Sequence, residues 1–330
     1  MFEAAGCAER QLLRDKHTLL EGYVTEYLFE RQFLLPEPDC YTGGWWSAVA
    51  HGQRYFFLVS DHLNAVDQAV LDTLSPHFPC YRAYPKDDTW YFYENGQGEG
   101  IPMEQFLARC QLSAIRPVLK AAAGVRNSER QNRCIDFFAS HGLLRKIAVE
   151  RNFADDFLSV YFDAMVNVDF FTLRRDGRLS AVEVKFKYES ASGKFGINVG
   201  QLQLFSLLES LGVQIQHWIL YNDAHDKNLS IFGFLERSDL DRHWRYGLIP
   251  TDRIRERKIA PSETSVTGQN QQPYYELDQE ELKRERPLLL CDEDTAGEAA
   301  EKSAGGGEET SCISAESVYN EKDNLTDGGL

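Results

Sequence analysis

Asp169 is followed, after thirteen intervening residues, by Glu183-Val184-Lys185. The segments around them, Val166-Asn167-Val168-Asp169-Phe170-Phe171 and Ala181-Val182-Glu183-Val184-Lys185-Phe186-Lys187, are rich in strand formers, and Arg174-Arg175-Asp176-Gly177-Arg178 between them reads as a hairpin turn. Side chains alternate along a strand, so Glu183, Lys185 and Lys187 share one face. Val182, Val184, Phe186 and Tyr188 share the other, which belongs in the core. A Glu and a Lys buried in an otherwise apolar strand cost several kcal/mol unless they are paired or bind an ion. An Asp from the neighbouring strand completes a hard-oxygen site of the kind Mg²⁺ takes, with one or two carboxylates, waters and phosphate oxygens. Such a site polarises a phosphodiester and makes bound water a better nucleophile. Lys185 is then placed to orient or deprotonate that water, or to stabilise charge at phosphorus.

The register decides whether these residues can meet. If Asp176-Gly177 formed a two-residue turn, Asp169 would lie opposite Val184, on the wrong face. A three-residue loop, Arg175-Asp176-Gly177 with a left-handed Gly177, shifts the pairing by one residue and brings Asp169 opposite Glu183 or Lys185. The sequence therefore predicts a bulged hairpin.

The elements that must position this pair follow from local pattern. Ser128 caps a predicted helix from Glu129 to Ser140, closed by His141-Gly142. Leu143 to Glu150, Ser159 to Arg174 and Leu179 to Tyr188 read as strand-rich. A Gly-containing loop, a helix from about Val199 to Leu211, and strands Gln214 to Tyr221 and Leu229 to Leu235 follow. E-x-K alone carries little, since roughly one such triplet is expected by chance in a chain this long, and an exposed strand with solvated Glu and Lys explains it equally well. The ordered set is more specific. It resembles the PD-(D/E)xK, or restriction-endonuclease-like, nuclease superfamily over about residues 127–235. Asn167-Val168 stands where the motif's name has Pro.

The resemblance implies an α/β (α+β) fold with an αβββαβ core and a metal-dependent nuclease using Mg²⁺ or Mn²⁺. Asp169 and Glu183 would be metal ligands and Lys185 the catalytic lysine. Glu129 would be the acidic residue of the preceding helix, acting as catalytic residue and metal ligand. Gln201 would be the polar residue of the helix after E-x-K. The expected partner is nucleic acid, DNA above RNA, with a homodimer suited to double-strand cutting. Two alternatives stand beside it: a non-catalytic nuclease-fold scaffold or regulatory subunit of a nucleic-acid-processing or defence complex, and an RNA-directed nuclease.

The remaining sequence sets bounds. Residues 1–125 suggest a small α/β domain for targeting or protein partners. It has a helix ending before Pro36, a turn at Tyr41 to Trp46, strands at Arg54 to Ser60 and Thr89 to Glu94, and a helix from His62 to Leu74 capped by Asp61. Residues 126–258 form the expected nuclease domain, and 259–330 an acidic, largely disordered tail. Of the net charge of −16, the stretch Pro261 to Leu330 carries −12, so the body is nearly neutral and a local basic cleft is compatible with it. Two roles fit the tail: an electrostatic lid over the nuclease cleft, or solubility.

Seven scattered cysteines without a CxxC pair, no apolar N-terminal leader and no run near the roughly 20 apolar residues of a membrane span predict a soluble cytoplasmic protein. Lys187, Glu189, Lys194 and Asn198 are secondary substrate-contact candidates, as are Arg174, Arg175 and Arg178 at the hairpin tip. The basic-aromatic stretch from Arg237 to Lys258 reads equally as a nucleic-acid contact or as an amphipathic helix.

Overall fold

The computed structural model describes residues 9–10, 12–13, 20–35, 38–86, 88–117, 128–174, 176–188, 194–222, 230–235, 239–257 and 274–278. The chain divides into two units, Met1–Cys291 and Asp292–Leu330, and all described residues belong to the first.

In chain order the elements are α1 (Glu21–Phe29), continued by a π-helical turn Glu30–Leu34; β1 (Tyr41–Ala50); β2 (Gln53–Val59); α2 (Ala65–Leu74); β3 (Cys80–Lys86); β4 (Thr89–Glu94); β5 (Ile101–Pro102); and α3 (Met103–Arg109). Then come α4 (Ser128–Ser140), α5 (Leu144–Asn152) with a further π-helical turn Phe153–Leu158, β6 (Ala164–Leu173), β7 (Leu179–Tyr188), β8 (Lys194–Asn198), α6 (Val199–Ser210), β9 (Gln214–Asn222), α7 (Ile231–Leu235), β10 (Trp244–Leu248), β11 (Arg255–Arg257) and β12 (Tyr274–Asp278). The fold is mixed α/β. Nine strands form one sheet in the order β10-β9-β7-β6-β1-β2-β3-β4-β5, and β11-β12-β8 form a second.

The sheet is covered on both faces. Phe170, Val182, Val184, Trp218 and Leu220 pack with Val24 and Phe29 of α1, Ile135 and Phe138 of α4, and Ile231 and Phe234 of α7. Val168, Phe171, Ala181 and Ile215 pack with Val66, Val70 and Leu74 of α2 and with Leu204, Phe205 and Leu208 of α6. A third, aromatic cluster joins Phe57, Tyr81, Phe92 and Phe106 to Phe153 and Phe157. Strands buried on both faces read as continuous apolar runs, as Phe56-Phe57-Leu58 and Trp218-Ile219-Leu220 do.

Several expectations need correction. The division near residue 125 does not divide the sheet. β1, from the expected N-terminal domain, pairs antiparallel with β6 from Tyr41↔Thr172 to Val49↔Ala164. The expected joint at residues 124–127 lies outside the described residues. Tyr41 to Trp46 is not a turn but the start of β1, which keeps its pairing across a left-handed Gly44 with φ +78°.

Leu143 to Glu150 is a helix. Leu144, Ile147 and Ala148 recur at helical spacing and are buried, while Arg145 and Lys146 are exposed. Leu229 to Leu235 likewise contains α7 rather than a strand, and the expected loop at Lys194 to Asn198 is β8. The cap of α2 is Asn64, not Asp61: its side chain accepts from the Asp67 amide at 2.9 Å while Asp67 accepts from the Asn64 amide at 2.9 Å. Within the expected acidic tail, β12 pairs with β8 from Tyr274↔Asn198 to Asp278↔Lys194. Residues 258–273 and 279–330, and with them the lid, lie outside the described residues.

A chain truncated after Lys258 loses β12 and with it the partner of β8. It is expected to melt several degrees below a chain truncated after Cys291, since about 1 kcal/mol moves a domain of this size by roughly 2–4 °C. Equal melting temperatures in a thermal scan would show that β12 contributes nothing to the fold.

Candidate active site

The hairpin between β6 and β7 sets the centre. Its register runs from Leu173↔Leu179 to Phe170↔Val182. Arg174 N–H donates to the Arg178 carbonyl at 3.0 Å, and Gly177 N–H to the Arg174 carbonyl at 2.9 Å. Gly177 is left-handed, with φ +81°. This is the three-residue loop that the alignment of Asp169 with Glu183 requires.

The ladder between β6 and β7 stops at Phe170↔Val182. One step further, the amide of Val184 donates to Asp169 Oδ2 at 2.8 Å. A side-chain carboxylate thus takes the place of a backbone acceptor. Beyond this point β6 continues with β1 as far as Ala164, and β7 continues in parallel with β9 as far as Tyr188↔Asn222. Asp169 sits in the fork, 4% exposed. Asn167 Nδ2 donates to its other oxygen at 2.8 Å.

The structure brings together four of the five residues singled out from sequence. Lys185 Nζ lies 3.7 Å from Asp169 Oδ2 and is ion-paired with Glu183 Oε1. Gln201, delivered by the first turns of α6, donates its amide to the same Glu183 oxygen. Among the described residues Glu183 Oε2 is buried and has no hydrogen-bond partner. His217 is the register partner of Glu183 on β9, and its Nε2 is likewise buried without a partner among them. Glu129 is the exception. It is exposed at the start of α4, and no hydrogen bond or ion pair among the described residues ties it to the others.

Three carboxylates missed by sequence reasoning stand nearby instead. A small cavity of about 30 Å³ is lined by Glu26 and Glu30 at the α1 end, Gly43 and Gly44 of β1, Lys146 and Glu150 of α5, and Asp169. Glu26 could have been suspected as a lone acid among Val24, Thr25, Tyr27 and Leu28. Glu150 was hidden by the misreading of α5 as a strand.

The electrostatics show a centre short of positive charge. Burial and repulsion from Asp169 push the Glu183 carboxyl up to about 7, with Lys185 and Gln201 opposing. Burial and Asp169 also raise Glu26 well above the usual carboxylate range, and burial together with Glu30 and Asp169 raises Glu150. Burial alone would lower Lys185, but Asp169 and Glu183 outweigh it and hold the ammonium protonated. Lys187 is lowered to about 8 by burial and by Lys185. Burial and Lys185 depress His217 to about 4, which keeps it neutral at physiological pH.

Among the described residues no three His, Cys, Asp or Glu side chains already converge on one point as a metal cage. The donor set nevertheless fits a divalent cation in kind. It offers hard carboxylate oxygens, one of them buried without a partner among the described residues, in a cluster whose acids are raised by burial first and by one another second. No helix among the described residues is long and apolar enough to cross a membrane. Comparison with protein-family models, with curated proteins and with solved structures yields no match.

A carboxyl raised in the folded state makes folding favour the protonated form. Stability from Glu183 is therefore fully present below the unfolded value of about 4.3 and is lost as pH rises through about 7. Urea unfolding is expected to show stability falling across this window, and Glu183→Gln to flatten the slope. An unchanged slope would mean that Glu183 is not the raised acid. Gly177→Ala, which meets open space but forces Ala into φ +81°, should cost about 1 kcal/mol in the same experiment.

Proposed function

We propose that the protein is a metal-dependent nuclease that hydrolyses phosphodiester bonds, with DNA as substrate. The observation that carries this reading is the meeting of Asp169, Glu183 and Lys185 where β6 and β7 part, with Gln201 bound to Glu183. Chain order supports it. Taken in sequence, α1, β1, β6, β7, α6 and β9 follow the αβββαβ order of restriction-endonuclease-like cores, with residues 51–163 inserted between the first and second strands. On this reading the core is not contiguous. Its first helix is α1, and Glu26 takes the place that the sequence pattern gave to Glu129.

Asp169 and Glu183 would hold the Mg²⁺ or Mn²⁺, with Glu26 the nearest further carboxylate. When bound, the cation supplies charge stabilisation at the phosphate and a more acidic water. The chain's own groups do the rest. The Val184 amide and Asn167 fix both oxygens of Asp169, so its carboxylate cannot rotate away. Gln201 orients Glu183 while leaving its second oxygen free. Lys185, kept protonated by its two carboxylates, sets a positive charge where negative charge develops on a phosphate oxygen, and can hold a water by hydrogen bonding. The large flanking cores keep these strands rigid, which is what preorganised electrostatic catalysis needs.

The test is cleavage of plasmid, linear duplex, single-stranded DNA and RNA in Mg²⁺, Mn²⁺ or EDTA. Wild type is expected to cut only with metal, and Asp169→Ala and Lys185→Ala to lose at least about 100-fold in rate, as removal of a charge-stabilising group does. Folded wild type that cuts no substrate in either metal would turn the reading toward a scaffold. Independently of cleavage, Mg²⁺ or Mn²⁺ should raise the melting temperature more at pH 8 than at pH 6, because the cation competes with the proton on Glu183.

A further inference from the structure

A second, larger cavity of about 450 Å³ adjoins the carboxylate pocket, and the two share Gly43, Lys146 and Glu150 in their walls. Its volume falls within the roughly 300–1,000 Å³ typical of small-molecule sites. Much of the wall comes from residues between β1 and β6: the end of β2, the Ser60 to Asn64 connection, Tyr84 of β3, and α5.

Most polar groups of this wall are already engaged. Asp67 accepts from Thr42 Oγ1 at 2.6 Å and from Trp45 Nε1 at 3.0 Å. Asp61 is bound to His62 Nδ1 at 2.6 Å, and Asn64 Nδ2 donates to the Tyr41 carbonyl at 3.0 Å. Arg145 is different. It is exposed on α5, and no hydrogen bond or ion pair among the described residues occupies its guanidinium. Lys146 stands next to it at the junction of the two cavities. Tyr84, half-buried, has no aromatic partner among the described residues.

We infer that this cavity seats one unpaired nucleotide of the strand being cut, with its phosphate on Arg145 and Lys146 and its base against Tyr84, so that single-stranded DNA or a frayed end is preferred to closed duplex. A guanidinium fork matches phosphate oxygens in geometry, and an aromatic ring stacks on any base without reading its sequence. A base inside a duplex reaches a pocket of this size only after it leaves the stack. The carboxylate of Asp61 repels a phosphate from its part of the wall, and Glu150, one turn along α5 from Lys146, offsets part of that lysine's charge, so Arg145 is the principal phosphate contact. The inference rests on the nuclease reading for what happens to the strand, but binding itself requires no metal.

The experiment is fluorescence anisotropy with the full-length protein in EDTA. The probes are a labelled oligothymidylate and a labelled duplex closed at both ends by non-nucleotide ethylene-glycol linkers, which carries no unpaired base. The single strand is expected to bind at least about tenfold more tightly, and Arg145→Glu to weaken it by about tenfold, in line with reversal of a phosphate contact. Tyr84→Ala should weaken it several-fold. Arg145 is exposed and unpaired, so the charge-reversed variant should melt like wild type. Equal affinity for the two probes, or an Arg145→Glu variant that binds as well as wild type, overturns the inference. Binding as expected without metal-dependent cleavage would leave the nucleotide site standing and remove the nuclease reading.

Discussion

The hydrogen bond from the Val184 amide to the Asp169 carboxylate is the contact around which this centre is organised. A buried backbone N–H must find an acceptor, and in a continuous hairpin it would find a carbonyl across the ladder. Here it finds a side chain, so β6 and β7 can part without leaving a buried donor unsatisfied. The same bond offsets part of the cost of holding a carboxylate at 4% exposure. It can form in only one register. A one-residue slip would move Asp169 away from Val184 and exchange Glu183 and Lys185 with the valines that pack against α1. A left-handed Gly177 at the far end of the hairpin, with no role in chemistry, therefore decides whether the centre exists.

The charges gathered there are not balanced internally. Glu26, Glu150, Asp169 and Glu183 face Lys146 and Lys185, and three of the four acids hold their protons more tightly than free carboxylates do. Burial is the main cause, and repulsion between like charges, weakly screened in a partly desolvated space, adds to it. A structural ion-pair network would ordinarily be neutral and fully hydrogen-bonded. This cluster instead has an excess of carboxylate and, among the described residues, a buried Glu183 oxygen without a partner.

Where the sequence could be read, period and turn chemistry carried the information. The two-residue alternation of Glu183, Lys185 and Lys187 and the Asp176-Gly177 signal located the side-chain cluster and its register. The apolar period of α6 placed Gln201. The failures have a common cause. Leu144, Ile147 and Ala148 bury one stripe of a helix, but Ile147 and Val149 are β-branched, and over nine residues propensity and period pulled in different directions. Glu129 stands on a helix shortly before β6 in the chain, whereas the acid that approaches Asp169 lies 143 residues before it, on a helix brought near by the pairing of β1 with β6. No local pattern encodes that pairing. Gly43-Gly44 was a visible trace, two glycines that read as a turn and instead let β1 pass closely beside Asp169 at Gly43 and beside Val59 and Glu150 at Gly44.

The position of residues 51–163 follows from the edges of the sheet. β1 has two edges. One is taken by β6, and the chain leaves it through β2 on the other. Everything built next, through β3, β4 and β5, extends the sheet away from β6, β7 and β9, so the fork that holds Asp169 is undisturbed. The return path is not neutral, however. To reach β6 the chain passes through α5, which sets Glu150 and Lys146 against the carboxylate pocket and Arg145 at the mouth of the larger cavity. The inserted segment therefore cannot be a detachable module appended to a finished centre. It shares a continuous sheet with the core, it buries Phe153 and Phe157 against its own strands, and it supplies much of the wall of the larger cavity.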